Sequence, residues 1–227
     1  SVDYTGMTQS VREKTGINKV DIKGESTVIA IIDNEFDTSH EFISSMPDNS
    51  QVRLAEEAID SISPYLSATG VGGEGYYLNE KIPYRFNYDT FDTDTSADDP
   101  DESHGTHVAG IAAGNGDAVT DSSMKPYGTA ANAQLALMSG LANHEVMAAY
   151  DDCAYIGADV VNASYGRSYA SSASCPYESE AIKNLNSCGT LFCAAAGNES
   201  KIGYEGADSL LNTDYASGGV PCEESAA

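Results

Sequence analysis

The sequence predicts an α/β fold built on a mostly parallel sheet with helices on both faces. Three observations carry this expectation. Val28-Ile29-Ala30-Ile31-Ile32-Asp33 is an apolar, β-branched run too short to cross a membrane, as expected of a strand buried on both faces. From Gln134 onward, strand-like and helix-like stretches alternate, the pattern of parallel strands joined by helical crossovers. Between these parts, Ser103-His104-Gly105-Thr106-His107-Val108-Ala109-Gly110 opens a small-residue helix with an imidazole at its N-terminal end.

Taken in order, residues 1–27 are polar and mixed, with a short helix expected over Met7–Lys14 and a turn at Gly24. After the first strand, Asn34-Glu35-Phe36-Asp37 reads as a turn. Residues 51–62 place Val52, Leu54, Ala55, Ala58, Ile59 and Ile62 at helical spacing. Pro64 with Gly70, Gly72, Gly73 and Gly75 marks a surface loop. Residues 81–88 alternate as a strand. Pro83 has no N–H for a ladder, which places that strand at an edge or the proline early in it. The His104 helix is expected to stop at Gly114, and residues 115–130 form a polar loop. Gln134–Ser139 is a strand. A helix runs from Asn143 to about Gly157, with Val146, Ala149, Tyr150, Cys153 and Ile156 turned inward. Asp159–Ser164 is a strand, Tyr177–Asn186 a helix stopped near Gly189, and Thr190–Ala196 a further strand. Residues 199–227 show no clear periodicity.

At 227 residues the chain can bury one good core, so one domain is expected. A hydrophobic fraction of 41% argues for a globular fold rather than disorder. Acidic residues number 35 against 11 basic ones, a formal charge of −24. Such a surface repels phosphate, which argues against nucleic acid and anionic membrane as partners and suits a secreted protein. No run is long and apolar enough to span a bilayer, so membrane insertion is not expected. No signal peptide is visible either, so Ser1 is expected to be an interior start. The five cysteines show no metal-ligand spacing. Cys193, inside an apolar strand, is expected to be a buried, inert thiol, and Cys175 and Cys222 are both in polar loops and available to pair.

Asp89 to Glu102 holds seven carboxylates and no basic residue. Such a run cannot pack and is expected as a solvated loop. Hard oxygen ligands also suit calcium, although no EF-hand-like spacing is present. Leading into His104, the run would lend a negative potential to any cleft there.

The chemistry-bearing residues fall at element ends. Asp33 closes a strand, and open α/β sheets gather their chemistry at the carboxyl ends of strands. His104 opens a helix. Asn198 ends the strand-like Thr190-Leu191-Phe192-Cys193-Ala194-Ala195-Ala196-Gly197-Asn198. The plainer alternative is a turn-capping Asp33 and two core histidines in a packed helix.

A strand-end Asp, a helix-start His and a strand-end Asn, in this order, resemble the subtilisin-like serine peptidases (subtilases) over nearly the whole chain. The His-Gly-Thr-His-Val-Ala-Gly motif is highly specific, and Ala-Ala-Gly-Asn adds independent weight. Residues 32–41, the tyrosine- and Asp-rich approach to His104, and Gln134–Met138 look closest to the cell-envelope branch of C5a peptidases and lactocepins. The resemblance implies a three-layer αβα fold with a mostly parallel sheet, incomplete at the C-terminus. It implies a serine-type endopeptidase, secreted or cell-envelope associated in a Gram-positive bacterium, acting on polypeptide. No cofactor is required, with calcium possible as a structural ion.

Acyl transfer from a serine needs a base, a group that orients the base, oxyanion donors and the nucleophile. By resemblance Asp33 orients, His104 is the general acid/base and Asn198 donates to the oxyanion. Loss of that donor costs about 10²–10³ in turnover, a figure measured within this very family rather than inferred for this chain. Ser164, Tyr165 and Gly166 resemble the segment that pairs with substrate backbone, and Ala196 and Gly197 the facing wall. The plainer alternative for that wall is close strand–helix packing. His107 is expected to be structural, His40 and His144 peripheral, and Ser103 a helix cap.

Two departures stand out. Asp33-Asn34-Glu35 replaces the usual Asp-Thr/Ser-Gly, which puts a Cβ into a tight turn. No Gly-Thr-Ser occurs anywhere in the sequence. The expectation is that residues 1–227 form the N-terminal portion of one catalytic domain, whose missing C-terminal part brings the serine. The alternatives are an inactive binding or adhesion module on the same fold, and a calcium-dependent binding domain built on residues 89–102.

Overall fold

In a computed structural model, residues 13–67, 75–96, 104–120, 127–166 and 175–195 are described. The strands are β1 (Val28–Asp33), β2 (Tyr84–Asn87), β3 (Gln134–Ser139), β4 (Val160–Ala163) and β5 (Leu191–Ala194). The helices are α1 (Glu56–Ile62), α2 (His104–Ala113), α3 (Asn143–Ile156) and α4 (Pro176–Ser187). The strands form one sheet in the order β2-β3-β1-β4-β5, and every pairing is parallel. This is the α/β architecture that the alternation predicts.

β1 lies at the centre, and all six of its residues are buried. Successive side chains leave a strand on opposite faces, so β1 feeds two cores at once. Val28, Ala30 and Ile32 join Phe86, Met138, Val146, Tyr150, Ile182 and Leu185 in the layer with α3 and α4. Ile29 and Ile31 join Phe36, Ile43, Ala109, Ala113, Leu135 and Leu137 in the layer with α2. Burial of each such side chain is worth about 1.5–3 kcal/mol, which is why β1 reads as continuous rather than alternating hydrophobicity.

The β1 chain leads on to β2 at one edge, whereas β4 leads on to β5 at the other. Neighbouring strands that depart in opposite directions leave a crevice at their carboxyl ends. Asp33 ends β1 there, and Ser164 follows β4, whose Ala163 is level with Ile32.

The elements differ from the sequence expectations in instructive places. The 51–62 segment turns helical only at Glu56, because Arg53 and Leu54 donate their backbone N–H groups to Gln134 Oε1 at 2.9 and 2.8 Å. β2 starts after Pro83 and, of the described strands, pairs only with β3, so the proline precedes a strand at the edge of the described sheet. α2 ends before Gly114, but this glycine is not a left-handed stop. A Cβ there would sit 2.2 Å from the Phe42 ring, so close packing is what requires it. Cys193 is exposed rather than buried, since β5 lies at the edge of the described sheet and its Leu191 and Cys193 face outward. Cys153 is the buried thiol, on α3. The carboxylates of residues 89–96 are exposed, as expected of a solvated loop, yet the loop is anchored: Phe36 N–H donates to Thr95 O at 2.7 Å. Most of the expected Met7–Lys14 helix lies outside the described residues, as does Cys222. Among the described residues no helix is long and apolar enough to cross a membrane.

Candidate active site

His104 is the first residue of α2, and Asp33 the last of β1. They are 71 residues apart in sequence, yet His104 Nδ1 lies 2.9 Å from both Oδ1 and Oδ2 of Asp33. A carboxylate only accepts, so Nδ1 carries the proton and donates it. Asp33 Oδ1 also accepts from Asn34 N–H at 2.8 Å. The carboxyl side chain is 3% exposed and that of the imidazole 58%. The ring is therefore anchored on its buried side, and Nε2 is left as the basic nitrogen of an exposed ring.

Three local features hold this geometry. Gly105 lets the turn after β1 approach α2: a Cβ on it would lie 2.5 Å from Glu35 O and 2.7 Å from the Phe36 ring. Thr106 Oγ1 accepts from Asp37 N–H at 2.8 Å, tying the first turn of α2 to the same segment. Phe36, fully buried, fills the space beneath. Neither Asn34 nor Glu35 is among the residues with positive φ, so the Cβ of Glu35 is accommodated without a strained backbone.

The remaining sequence candidates divide. Ser164, Tyr165 and Gly166 follow β4 at the same rim. Ser164 Oγ accepts from Asn162 Nδ2 at 2.7 Å, whereas the Tyr165 hydroxyl meets that of Tyr150 at 2.6 Å. Ala196, Gly197 and Asn198 lie outside the described residues, as does Ser103. They follow β5 in the sequence, and Ala195, the last described residue, donates its N–H to Ala163 O at 3.1 Å. His107 and His40 are exposed, and exposed His144 is 3.7 Å from Glu145 Oε1.

Two features go beyond the candidate residues of the sequence reading. Ser139, in register with Asp33 on β3, buries a hydroxyl with no hydrogen-bond partner among the described residues. A cavity of about 460 Å³ opens beside the β1 and β3 ends, lined by Asn34, Glu35, Asp89, Asp92, Asp94 and Glu145 among others. Its carboxylates give this end of the sheet a negative potential. Hydrogen bonds from Ser96 Oγ and N–H hold the Asp94 carboxyl below the usual range. A polar strand end after an apolar run was the only sequence signal for Ser139. The cavity had a partial one in the acidic run. Among the described residues no group of His, Cys, Asp and Glu is arranged to hold a metal ion.

Comparison with known proteins agrees with this architecture. A profile described as "Subtilase family" matches residues 24–219. A PII-type proteinase of Lactococcus lactis subsp. cremoris is 36% identical over 203 residues, covering 85% of this chain and 10% of that protein. A C5a peptidase of Streptococcus pyogenes serotype M3 is 32% identical over 223 residues, covering 94% of this chain and 18% of that protein. The chain thus spans between a tenth and a fifth of the length of these relatives. Among solved structures, a lanthipeptide protease superposes with a TM-score of 0.50 at 17% identity, over 85% of this chain and 45% of that one. MycP1 with its N-terminal propeptide removed superposes with a TM-score of 0.50 at 16% identity, over 86% and 49%. At such identities the superpositions speak to the fold.

Proposed function

Because this chain belongs to the subtilase family, we propose that it is the N-terminal portion of the catalytic domain of a serine endopeptidase, secreted or held at the cell envelope. In this reading Asp33 orients His104 and stabilises the imidazolium. His104 takes the proton of a serine hydroxyl and returns it to the leaving amine. The side-chain amide of Asn198 donates to the oxyanion. Ser164, Tyr165 and Gly166 pair with an extended polypeptide substrate, and Ala196 and Gly197 form the facing wall. The nucleophile comes from outside these residues, which contain no Gly-Thr-Ser. No cofactor takes part, and calcium bound by the 89–102 run would have a structural role only.

The observation that carries this reading is the dyad itself: a buried carboxylate 2.9 Å from Nδ1 of an exposed imidazole. The relatives' names, proteinase and C5a peptidase, support the reaction class. The test is labelling of the full-length protein by a serine-directed phosphonate. Labelling that His104→Ala abolishes is the expected result. Labelling that survives this substitution undiminished overturns the assigned base. No labelling, with retained binding of a peptide or matrix partner, favours an inactive binding module instead.

A further inference from the structure

The opposite face of the sheet from the dyad carries a second polar chain, and it ends on the wall of the cleft. Tyr150 on α3 is 1% exposed, and its ring is packed among the side chains beneath β4 and β5. Its hydroxyl lies 2.6 Å from that of Tyr165 and 3.3 Å from Glu178 Oε1 on the first turn of α4. Glu178 is 6% exposed, and the N-terminal end of a helix favours its negative charge. A carboxylate only accepts, so the single proton of Tyr150 goes to Glu178 and the Tyr150 oxygen accepts from Tyr165. The chain therefore has one direction, Tyr165 to Tyr150 to Glu178. Burial, foremost, raises the Tyr150 phenol far above its ordinary range, so the hydroxyl keeps its proton at any working pH.

The same ring also touches β5. Phe192 of β5 meets Tyr150 edge-on, with centroids 5.4 Å apart at 84°. Tyr165 follows β4, and Phe192 stands two residues before Ala194, where β5 ends. One side chain on α3 is thus bonded to the segment after β4 and packed against the strand leading to residues 196–198.

We propose that Tyr150 and Glu178 are positioning residues for substrate binding, which fix the height of Tyr165 beside β5 through a buried hydrogen-bond chain. The proposal rests on the peptidase reading above, in which residues 164–166 pair with the substrate backbone. Neither residue touches the reacting atoms. Their effect falls on extended peptides, which use the wall, and not on short substrates, which do not.

The test compares an extended peptide with a single-residue ester on the full-length protein. Tyr150→Phe keeps the ring and its contact with Phe192 but removes the hydroxyl. It is expected to raise KM for the extended peptide about threefold to tenfold, the effect of one net hydrogen bond, with kcat within about twofold. The ester should show no such rise, and Glu178→Gln, which retains an acceptor, should restore most of the affinity that Glu178→Ala loses. Should Tyr150→Phe not fold, the comparison of Glu178→Gln with Glu178→Ala carries the same readout from the inner end of the chain. An equal change of KM for both substrates, or none, overturns the positioning role and leaves the peptidase reading intact. Absence of turnover by the unsubstituted protein overturns the peptidase reading itself.

Discussion

A Cβ on Gly105 would lie 2.5 Å from the carbonyl oxygen of Glu35. No real Cβ sits that close to a backbone atom, so either the turn after β1 or the start of α2 would have to move. Asp33 is on one side of that contact and His104 on the other. The glycine beside the histidine is what lets the two elements meet within hydrogen-bond reach.

Gly105→Ala is therefore expected to destabilise, although alanine is the better helix former. Overpacking costs about 1–3 kcal/mol, against a helix-propensity gain of roughly 1 kcal/mol. At about 2–4 °C per kcal/mol for a domain of this size, thermal unfolding should register the loss. Peptidase activity of the full-length protein should fall by more than the loss of folded protein explains. An unchanged melting temperature with unchanged activity would mean that the turn gives way freely.

Asp33→Asn should leave the fold nearly intact and reduce turnover by about 10⁴-fold, a figure taken over from known serine triads. An amide can donate to Nδ1, which places the imidazole proton on Nε2 and removes the base. The comparison of kcat/KM for the two full-length proteins decides it. A loss smaller than about tenfold is incompatible with an orienting role for Asp33.

Lys81 gives a pH-dependent stability. Its side chain is fully buried, and Nζ donates to Ala131 O at 2.9 Å and Ala133 O at 2.7 Å. Burial holds the amine down to about 7 from 10.5. The unfolded chain then binds more protons than the native one between those values, so stability rises with pH across that window. The slope cannot exceed about 1.4 kcal/mol per pH unit. Urea unfolding at pH 7.5 and 9.5 should show the wild type gaining relative to Lys81→Met. A difference between the two proteins that does not vary with pH would refute the shifted amine.

Asp152 anchors β2 and the segment after α1 to α3. Its Oδ1 accepts from Ser67 N–H at 2.6 Å, and its Oδ2 from the Tyr84 and Tyr88 hydroxyls at 2.9 and 2.8 Å. Asp152→Ala removes the acceptor of two buried hydroxyls and one part-buried N–H and is expected to cost about 2–3 kcal/mol. Asp152→Asn retains an acceptor oxygen and should cost clearly less. Denaturant midpoints of the two variants check the order, and equal losses would mean that the network is not what holds this corner.

Much of the fold was legible because a doubly buried parallel sheet writes itself into composition. The β1 run, Gln134–Ser139 and Asn143–Ile156 all carry their burial in their residue types. Positions that depend on a partner element were harder to read. The 51–62 helix starts late because Gln134, some eighty residues away, takes the N–H groups of Arg53 and Leu54. Cys193 reads as a core residue in a strand that lies at the edge of the described sheet. Gly114 looked like a helix stop, and only the Phe42 ring gives the real reason for it.

By itself the sequence determined the parallel α/β class and the family, and it singled out Asp33 and His104 as candidates, since these depend on local pattern and motif. Only the tertiary structure decided that residues 33 and 104 meet, that Gly105 and Thr106 make the meeting possible, and that Tyr150 joins Tyr165 to Glu178. Periodicity records which way a side chain faces along its own element. Which side chain of another element it meets is set by the register of the sheet and the packing of helices across it, and no single stretch of sequence contains either.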